Sequence, residues 1–530
     1  MKSSLIVIAM MAVFGHFAGA EVLEVPAQHA TIQAALDATS AHDTVRVAPG
    51  NYIEYLVTPS HNVVLLGWYP ADTSLGFRTL LNPPPPESET QSAFVLNSDS
   101  AIIRNFAIFN SLEVRSVGVS TRSGGIRNFS QHLSLSNCRF DSVLSPIWGG
   151  HSVALDNCAF VGCVRQSVLV NQGGAVVASD CFFETGGYAM VTAYDNSRFE
   201  RCLFKCNTDA GHYLNLFGGH ILVSDCSFGP CTGSFPAISL YPTVGCRIIN
   251  NTFENLDQLQ SLLQISGNCD ALGDSALYVY GNLFSDYHTS LPRIGTIAID
   301  AQCLQGTSGE LAIVDSNDFI DGSATIATAG ISAGSSMQIN RNAFSNIGPE
   351  AFPGIRVTRT DIDSVTARAN SFSIPGLAAS TQGAYFDARE NWWGDSTGPY
   401  NGVLNPEGLG AEVGNGVLFI PWLTSPPDFS DTTTDTKNFP VAIPNEYSVA
   451  AYPNPFNAET TLELNVAHAG EYSVVLHDVL GRQTAELFHG NIYGTKSIRF
   501  SAADLPTGVY FAALRKNHQT LAITKLLLLK

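Results

Sequence analysis

Charge is what this sequence has least of, and basic charge above all. Only 14% of its residues are charged, and 27 Lys and Arg stand against 46 Asp and Glu, a formal charge of −19. A chain of that sign repels phosphate backbones and anionic lipid, which argues against nucleic acid and acidic membrane surfaces as partners. Long apolar runs are equally scarce. Beyond the first twenty residues no segment is long and apolar enough for a helical membrane span. Eleven cysteines are present, but they form no close-spaced CxxC pair and no Cys/His cluster, so a structural zinc site is not expected. Nothing in these absences calls for a metal or a cofactor.

What the chain does have is a phrase said many times. Leu133-Ser134-Leu135-Ser136-Asn137-Cys138-Arg139-Phe140 returns as Val153-Ala154-Leu155-Asp156-Asn157-Cys158-Ala159-Phe160. The anchoring aromatics are Phe140, Phe160, Phe183, Phe204, Phe228, Phe253, Phe284, Phe319, Phe344, Phe372 and Trp393. Their unequal spacing is that of a solenoid with loops inserted between rungs. Two positions before each aromatic stand Cys138, Cys158, Cys181, Cys202 and Cys226, then Asn251, Asn282, Asn317, Asn342, Asn370 and Asn391. Stacked parallel strands lie about 4.8 Å apart, so like residues fall on like residues. Asparagines in such a stack can pass amide hydrogen bonds from rung to rung, and a buried cysteine can fill the same slot as a small hydrophobe. The column therefore reads as an interior structural ladder.

Met1 to Ala20 has a basic start, a short apolar core and a small-residue ending, the three parts of a secretory signal, with cleavage expected after Ala20. Cysteines in an exported protein usually pair, but neighbouring ladder positions offer poor disulfide geometry. Outside the ladder stand Cys163, Cys206, Cys231, Cys246, Cys269 and Cys303. Of these Cys269 and Cys303, at the same offset after Ile265 and Ile299, are the disulfide candidates. Between Thr31 and Ala38 a helix is expected, with Thr31 as N-cap and Ile32, Ala35 and Leu36 on one face. The run "TIQAALDATSAHDTVRVAPGNY" from Thr31 to Tyr52 resembles the opening of right-handed parallel β-helix proteins of the pectate-lyase-like superfamily. The resemblance implies that this helix caps the N-terminal end of the coil.

Each rung carries a second strand upstream of the phrase, such as Leu214-Asn215-Leu216, Leu263-Gln264-Ile265 and Ile355-Arg356-Val357. Its apolar residues point inward and their neighbours outward. β-helix lyases need a calcium-binding carboxylate cluster beside a base, and glycosidases need two carboxylates flanking the scissile bond. On the outward rows Asp300 and Arg356 each stand alone, and no catalytic residue is assigned. Tyr188, Tyr194, Tyr213, Phe217 and Tyr241 fall on adjacent rungs and could form an aromatic platform for sugar rings; scattered surface and core aromatics are the plainer alternative. Trp392, beside the inward Trp393, is a further stacking candidate, or else part of the closure of the coil's last rung. Arg368, Asp387 and Arg389 read as cross-strand charge pairs.

From residue 424 to 447 the chain is an unpatterned polar linker. The segment after it alternates strands with Gly, Asn and Asp turns, as a small β-sandwich does. It carries Tyr452-Pro453-Asn454-Pro455-Phe456-Asn457, Asp478-Val479-Leu480-Gly481-Arg482, Leu505-Pro506-Thr507-Gly508-Val509-Tyr510 and a basic end at Lys525 and Lys530. These motifs, in this order, resemble the type A sorting domain of the type IX secretion system. That family's domain carries cargo across the outer membrane, and the secretion machinery is its implied partner.

The whole reads as an all-β chain: signal peptide 1–20, right-handed parallel β-helix 21–423 with an N-terminal helical cap, linker 424–447, and an immunoglobulin-like sorting domain at 448–530. Secretion or display on the cell surface by way of the periplasm is expected, as a monomer. The favoured passenger role is a non-catalytic glycan-binding, adhesive or structural rod that meets extracellular polysaccharide. A polysaccharide lyase or glycoside hydrolase is the alternative.

Overall fold

A computed structural model describes residues 20–529, except 42, 69–78, 85–91, 110–123, 144, 164–165, 186–188, 207–211, 234, 243–244, 259–260, 269–276, 290–295, 306–311, 325–327, 335, 348–352, 361–364, 430–447 and, in the tail, 453, 455, 458, 466–469, 479–481, 493–494, 503–504 and 517–518. The signal-peptide reading therefore lies outside the described residues apart from Ala20, which is exposed. The chain divides into two compact units, Met1–Thr192 with Cys202–Ala210, and Ala193–Arg201 with Gly211–Lys530.

In each unit the coil strands fall into three parallel sheets visited in rotation. A rung of the first unit runs from Ser152–Asp156 in the first sheet, through Ala159–Cys163 in the second, to Val168–Leu169 in the third. The next rung repeats the circuit one place along, so Leu133 pairs with Val153 and then Val176, and Phe140 with Phe160 and then Phe183. Alternation makes this possible. Val153 and Leu155 are buried while Ser152, Ala154 and Asp156 face out, the period of two that a sheet with one wet face requires.

The aromatics stack inside. Phe140, Phe160, Phe183 and Phe204 lie 4.9 Å apart with planes within 5°. In the second unit Phe228, Phe253, Phe284, Phe319, Phe344, Phe372 and Trp393 continue at 4.7 to 5.1 Å. Each fully buried ring contributes about 2–3 kcal/mol of transfer free energy, and the common strand spacing sets the ring separation.

The corner between the first and second sheets is made by one left-handed residue immediately before each ladder position. Asn137, Asn157, Asp180, Asp225, Asn250 and Gly281 have φ between 48° and 65°, and so do Arg201, Ser316, Arg341, Ala369 and Glu390. Asn, Asp and Gly take this conformation readily; the others are held there by pairing on both sides.

The ladder itself is buried throughout, at most 2% exposed. From Asn251 onward each amide oxygen accepts from the backbone N–H one rung earlier. The Cys226 N–H donates to Asn251 at 2.9 Å and the Asn251 N–H to Asn282 at 2.9 Å. Each amide nitrogen up to Asn370 donates to the next asparagine and to an inward carbonyl one rung back, Val223 for Asn251 and Ile248 for Asn282. The cysteine thiols are more than inert filler. Cys158 reaches the Leu135 carbonyl at 3.6 Å and Cys202 the Ala178 carbonyl at 3.6 Å, equivalents of the carbonyl that asparagine uses. Burial pushes the Cys138 thiol up, and Cys163 to about 12, while hydrogen bonds with Cys158 and Cys202 raise Cys181. Thiols so protonated are poor nucleophiles. Disulfide bonds occur instead at Cys206 and Cys231, which sequence reasoning passed over although each follows an inward phenylalanine by two or three residues. The Cys269–Cys303 pairing falls on side chains outside the described residues.

The short helix Ile32–Ala38 forms where expected. The Thr31 hydroxyl accepts from Ala34 N–H at 3.1 Å, and Ile32, Ala35 and Leu36 are buried. Its two leading amides donate to the Glu54 carboxylate at 3.0 Å each, which satisfies groups a helix start otherwise leaves open. It packs on the strands Val22–Val25, Thr44–Val47 and Leu56–Val57.

The tail folds as two antiparallel sheets, Ser448–Tyr452, Glu459–Asn465 and Thr495–Ser501 in one, and Gln483–Ile492, Gly470–Asp478, Gly508–Lys516 and Gln519–Leu528 in the other. They enclose one core that includes Leu462, Leu464, Val474, Leu476, Leu514 and Leu526. The segment around Asn454 lies along the outer edge of the last strand. Asn454 accepts from Leu527 N–H and donates to the Lys525 carbonyl, and Phe456 exchanges backbone bonds with Leu527 and Leu529.

Candidate functional site

The outer face of the third sheet in the second unit presents two rows. Backbone register sets the first as Asn215, Ser239, Gln264, Asp300, Ser332, Arg356 and Ser380. The second begins with Phe217 and Tyr241 and continues to Ser266 and Gln302. This corrects the sequence expectation, in which Asp300 and Arg356 each stood alone in separate outward rows. The strand Thr296–Gln305 places Ile299 opposite Leu263 and the small Ala301 opposite Ile265. An alanine in an inward slot hid the register, and Asp300 shares its row with Arg356. One strand, carrying Ser332, stands between them, so the two lie roughly 10 Å apart along the sheet.

Tyr194, Phe217 and Tyr241 come together. Tyr194 stacks on Phe217 at 5.4 Å and 25°, and Phe217 on Tyr241 at 4.8 Å and 8°; Tyr241 is 37% exposed. Tyr213 does not join them. It is fully buried, with its ring 5.8 Å from Phe228. Near the head of the strand His212–Gly218 the amides of Tyr213 and Leu214 both donate to the Ala237 carbonyl and both side chains are buried, and burial pushes the Tyr213 phenol up. Tyr188 lies outside the described residues. Trp392 is half-buried beside the stacked Trp393 and pairs through its backbone with Ser371, on another sheet from the tyrosines. Arg368 and Arg389 both bind Asp387, which holds that carboxyl well below the usual carboxylate range, a charge cluster of the cross-strand kind.

The polar row is tightly ordered. Asp300 accepts from the Gln302 amide at 2.8 Å and also bonds Ser332. Burial raises its carboxyl above the ordinary value, against the pull of those two bonds. With the Gln382 amide turned to donate to the Thr358 carbonyl, its oxygen accepts from Arg356 at 2.8 Å. Ser239 is buried, and its hydroxyl meets no partner among the described residues. Asp300 is the single carboxylate of this row, whereas glycoside hydrolysis uses two.

Because its folded pKa is raised, the stability that Asp300 contributes is fully present below about pH 3.8 and is lost as pH rises through the folded value. Asp300→Asn, which mimics the protonated acid, is therefore expected to melt above the parent protein at pH 7 and level with it at pH 3. Thermal melts at both pH values check this; equal melting at pH 7 would show that the buried carboxylate carries no net penalty.

Residues 146–288 match the family model described as right handed beta helix region, and residues 450–529 match the one described as secretion system C-terminal sorting domain. No match is found among curated proteins. The chain thus joins a right-handed parallel β-helix to a type IX sorting domain. That tail directs it to the cell surface or the extracellular space and implies contact with the secretion machinery.

Proposed function

We propose that this exported β-helix binds extracellular polysaccharide without cleaving it, along the outer face of its third sheet. The observation that carries the reading is the solvent-facing run of Tyr194, Phe217 and Tyr241, whose rings lie in register with one another. Sugar rings offer apolar C–H faces that stack on such surfaces, and Ser239, Gln264 and Asp300 in the neighbouring row offer donors and acceptors for hydroxyl groups. Phenylalanine and tyrosine already ordered by stacking lose little side-chain freedom on binding. Secretion would begin with the signal at 1–20, and the helix Ile32–Ala38 would close the N-terminal end of the coil.

Tyr241→Ala is expected to weaken retention on a neutral polysaccharide about tenfold or more while leaving the melting temperature within a degree or two. Affinity electrophoresis against neutral and acidic polysaccharides measures it, with unsaturated products and reducing ends followed in the same samples. The rival reading, a polysaccharide lyase or glycosidase, rests on Asp300 and Arg356 in one row. Turnover with no detectable retention would replace the binding role by that one.

A further inference from the structure

In the first unit the outer face of the third sheet has a different character. Register places Val95, Arg127, Trp148 and Leu169 in one outward row across four strands, and Phe129, just past the end of Arg127's strand Gly124–Asn128, has 54% of its surface exposed. Outward rows are ordinarily polar, yet this one is apolar except for a single cation. The Arg127 guanidinium carbon lies 5.0 Å from the Phe129 ring centre and 5.5 Å from that of Trp148. Two aromatic faces thus hold it in place.

Its bonding is incomplete. Arg127 Nε is buried and meets no acceptor among the described residues. Arg46, Arg139, Arg198, Arg341, Arg368, Arg389 and Arg499 all pair with carboxylates; among the described residues none pairs with Arg127. Acids outnumber bases 46 to 27 in the chain, yet among the described residues no carboxylate meets this aromatic-held guanidinium. Its Nε is sealed from solvent, so an anion can meet the guanidinium only through its terminal nitrogens.

We infer that Arg127, Phe129 and Trp148 form a second saccharide site that reads a sulfate ester on a sugar ring. The guanidinium fork matches a tetrahedral oxyanion through two parallel N–H bonds, and the rings and Val95 and Leu169 take the apolar sugar face. Sulfate is favoured over carboxylate because the surroundings are apolar. Its charge is spread over a larger group, so the loss of water costs less. The strong negative charge of the whole chain opposes dense polyanions, which suits this single cation to sparsely sulfated chains. The site borrows from the carbohydrate reading only in taking its ligand to be a sugar; its residues are separate from the tyrosine run.

Three carriers on one backbone test it with the full-length protein: plain dextran, sparsely sulfated dextran, and carboxymethyl dextran of equal charge density. Sulfation is expected to strengthen retention about tenfold or more, with carboxymethyl groups contributing clearly less. Arg127→Ala should erase the sulfate increment, and Arg127→Lys should restore only part of it, since an ammonium keeps the charge but not the planar fork. Tyr241→Ala should lower retention on plain dextran and leave the increment intact, which separates failure of this site from failure of the tyrosine platform. Both Arg127 variants are checked for parental melting, and the lysine form keeps the test valid if the alanine form misfolds. An increment that survives Arg127→Ala, equal binding of carboxymethyl and sulfated carriers, or no sulfate increment at all would overturn the proposal.

Discussion

Cells making the chain without Ala450 to Lys530 are expected to hold the passenger in the periplasm, with none at the surface or in the medium. The expected effect is close to all-or-none, because the matched sorting domain spans 450–529 and supplies every residue of its core but the adjoining Val449. Fractionation with an antibody to the β-helix reads the outcome, and normal surface delivery of the truncated chain would refute the assignment. The tail's structure explains why its motifs occur where they do. Asn454 and Phe456 clip onto the final strand, and the Tyr510 hydroxyl donates to the Pro506 carbonyl at 2.8 Å, bracing the turn between them. The Asn454 motif and the C-terminal strand are thus one physical object, though some seventy residues separate them in sequence.

Asn317→Ala, like the same change at Asn282 or Asn342, is expected to be severely destabilising to the coil. The Asn317 amide donates to Val279, Asp315 and Asn342, and its oxygen accepts from both the backbone and the side chain of Asn282. Alanine leaves at least two of these buried groups without partners, at about 1–3 kcal/mol each, on top of the bonds themselves. A loss of about 4 kcal/mol or more follows. The comparison is Cys158→Ala, which forfeits only a thiol's weak bonds at 3.4 to 3.6 Å and a little packing, about 1 kcal/mol. Denaturant midpoints of the two variants, with hydrogen exchange at the Asn282 amide, decide between them. An Asn317 variant as stable as the cysteine variant would mean that the ladder is ornament.

Most of the coil was legible because its signals are repeated. One phenylalanine proves little, but eleven aromatics that each follow a Cys or Asn by two positions define a strand, a corner and an inward face. The sorting tail was legible for a different reason, its four motifs being local and ordered. Registration failed where a rung departs from the average. Ala301 fills a slot that Leu216, Leu240 and Ile265 hold in the rungs before it, so Asp300 was placed one row away from its true neighbours. Tyr213 was misplaced because period-two counting fails where Tyr213 and Leu214 share the Ala237 carbonyl and are both buried. The left-handed column went unread because Arg201, Ala369 and Glu390 dilute its Asn and Asp signal. Arg127 drew no attention for a simpler reason. A cation flanked by aromatics is meaningful only when its carboxylate partner is seen to be missing, and partners are a property of three dimensions.

The asparagine column has a direction. Every amide nitrogen from Asn251 to Asn370 donates toward the C-terminal rung and every amide oxygen receives from the N-terminal side. Asn391 ends the series by turning its nitrogen onto the carbonyls of Ala367, Ala388 and Arg389. The column is therefore vectorial, with unlike ends, a starter at the Cys226 amide and a terminator at Asn391. A whole rung spliced into its middle finds a donor below and an acceptor above. A cut that removes Asn391 strands the nitrogen behind it, so such a coil can be lengthened from within more readily than shortened from its far end.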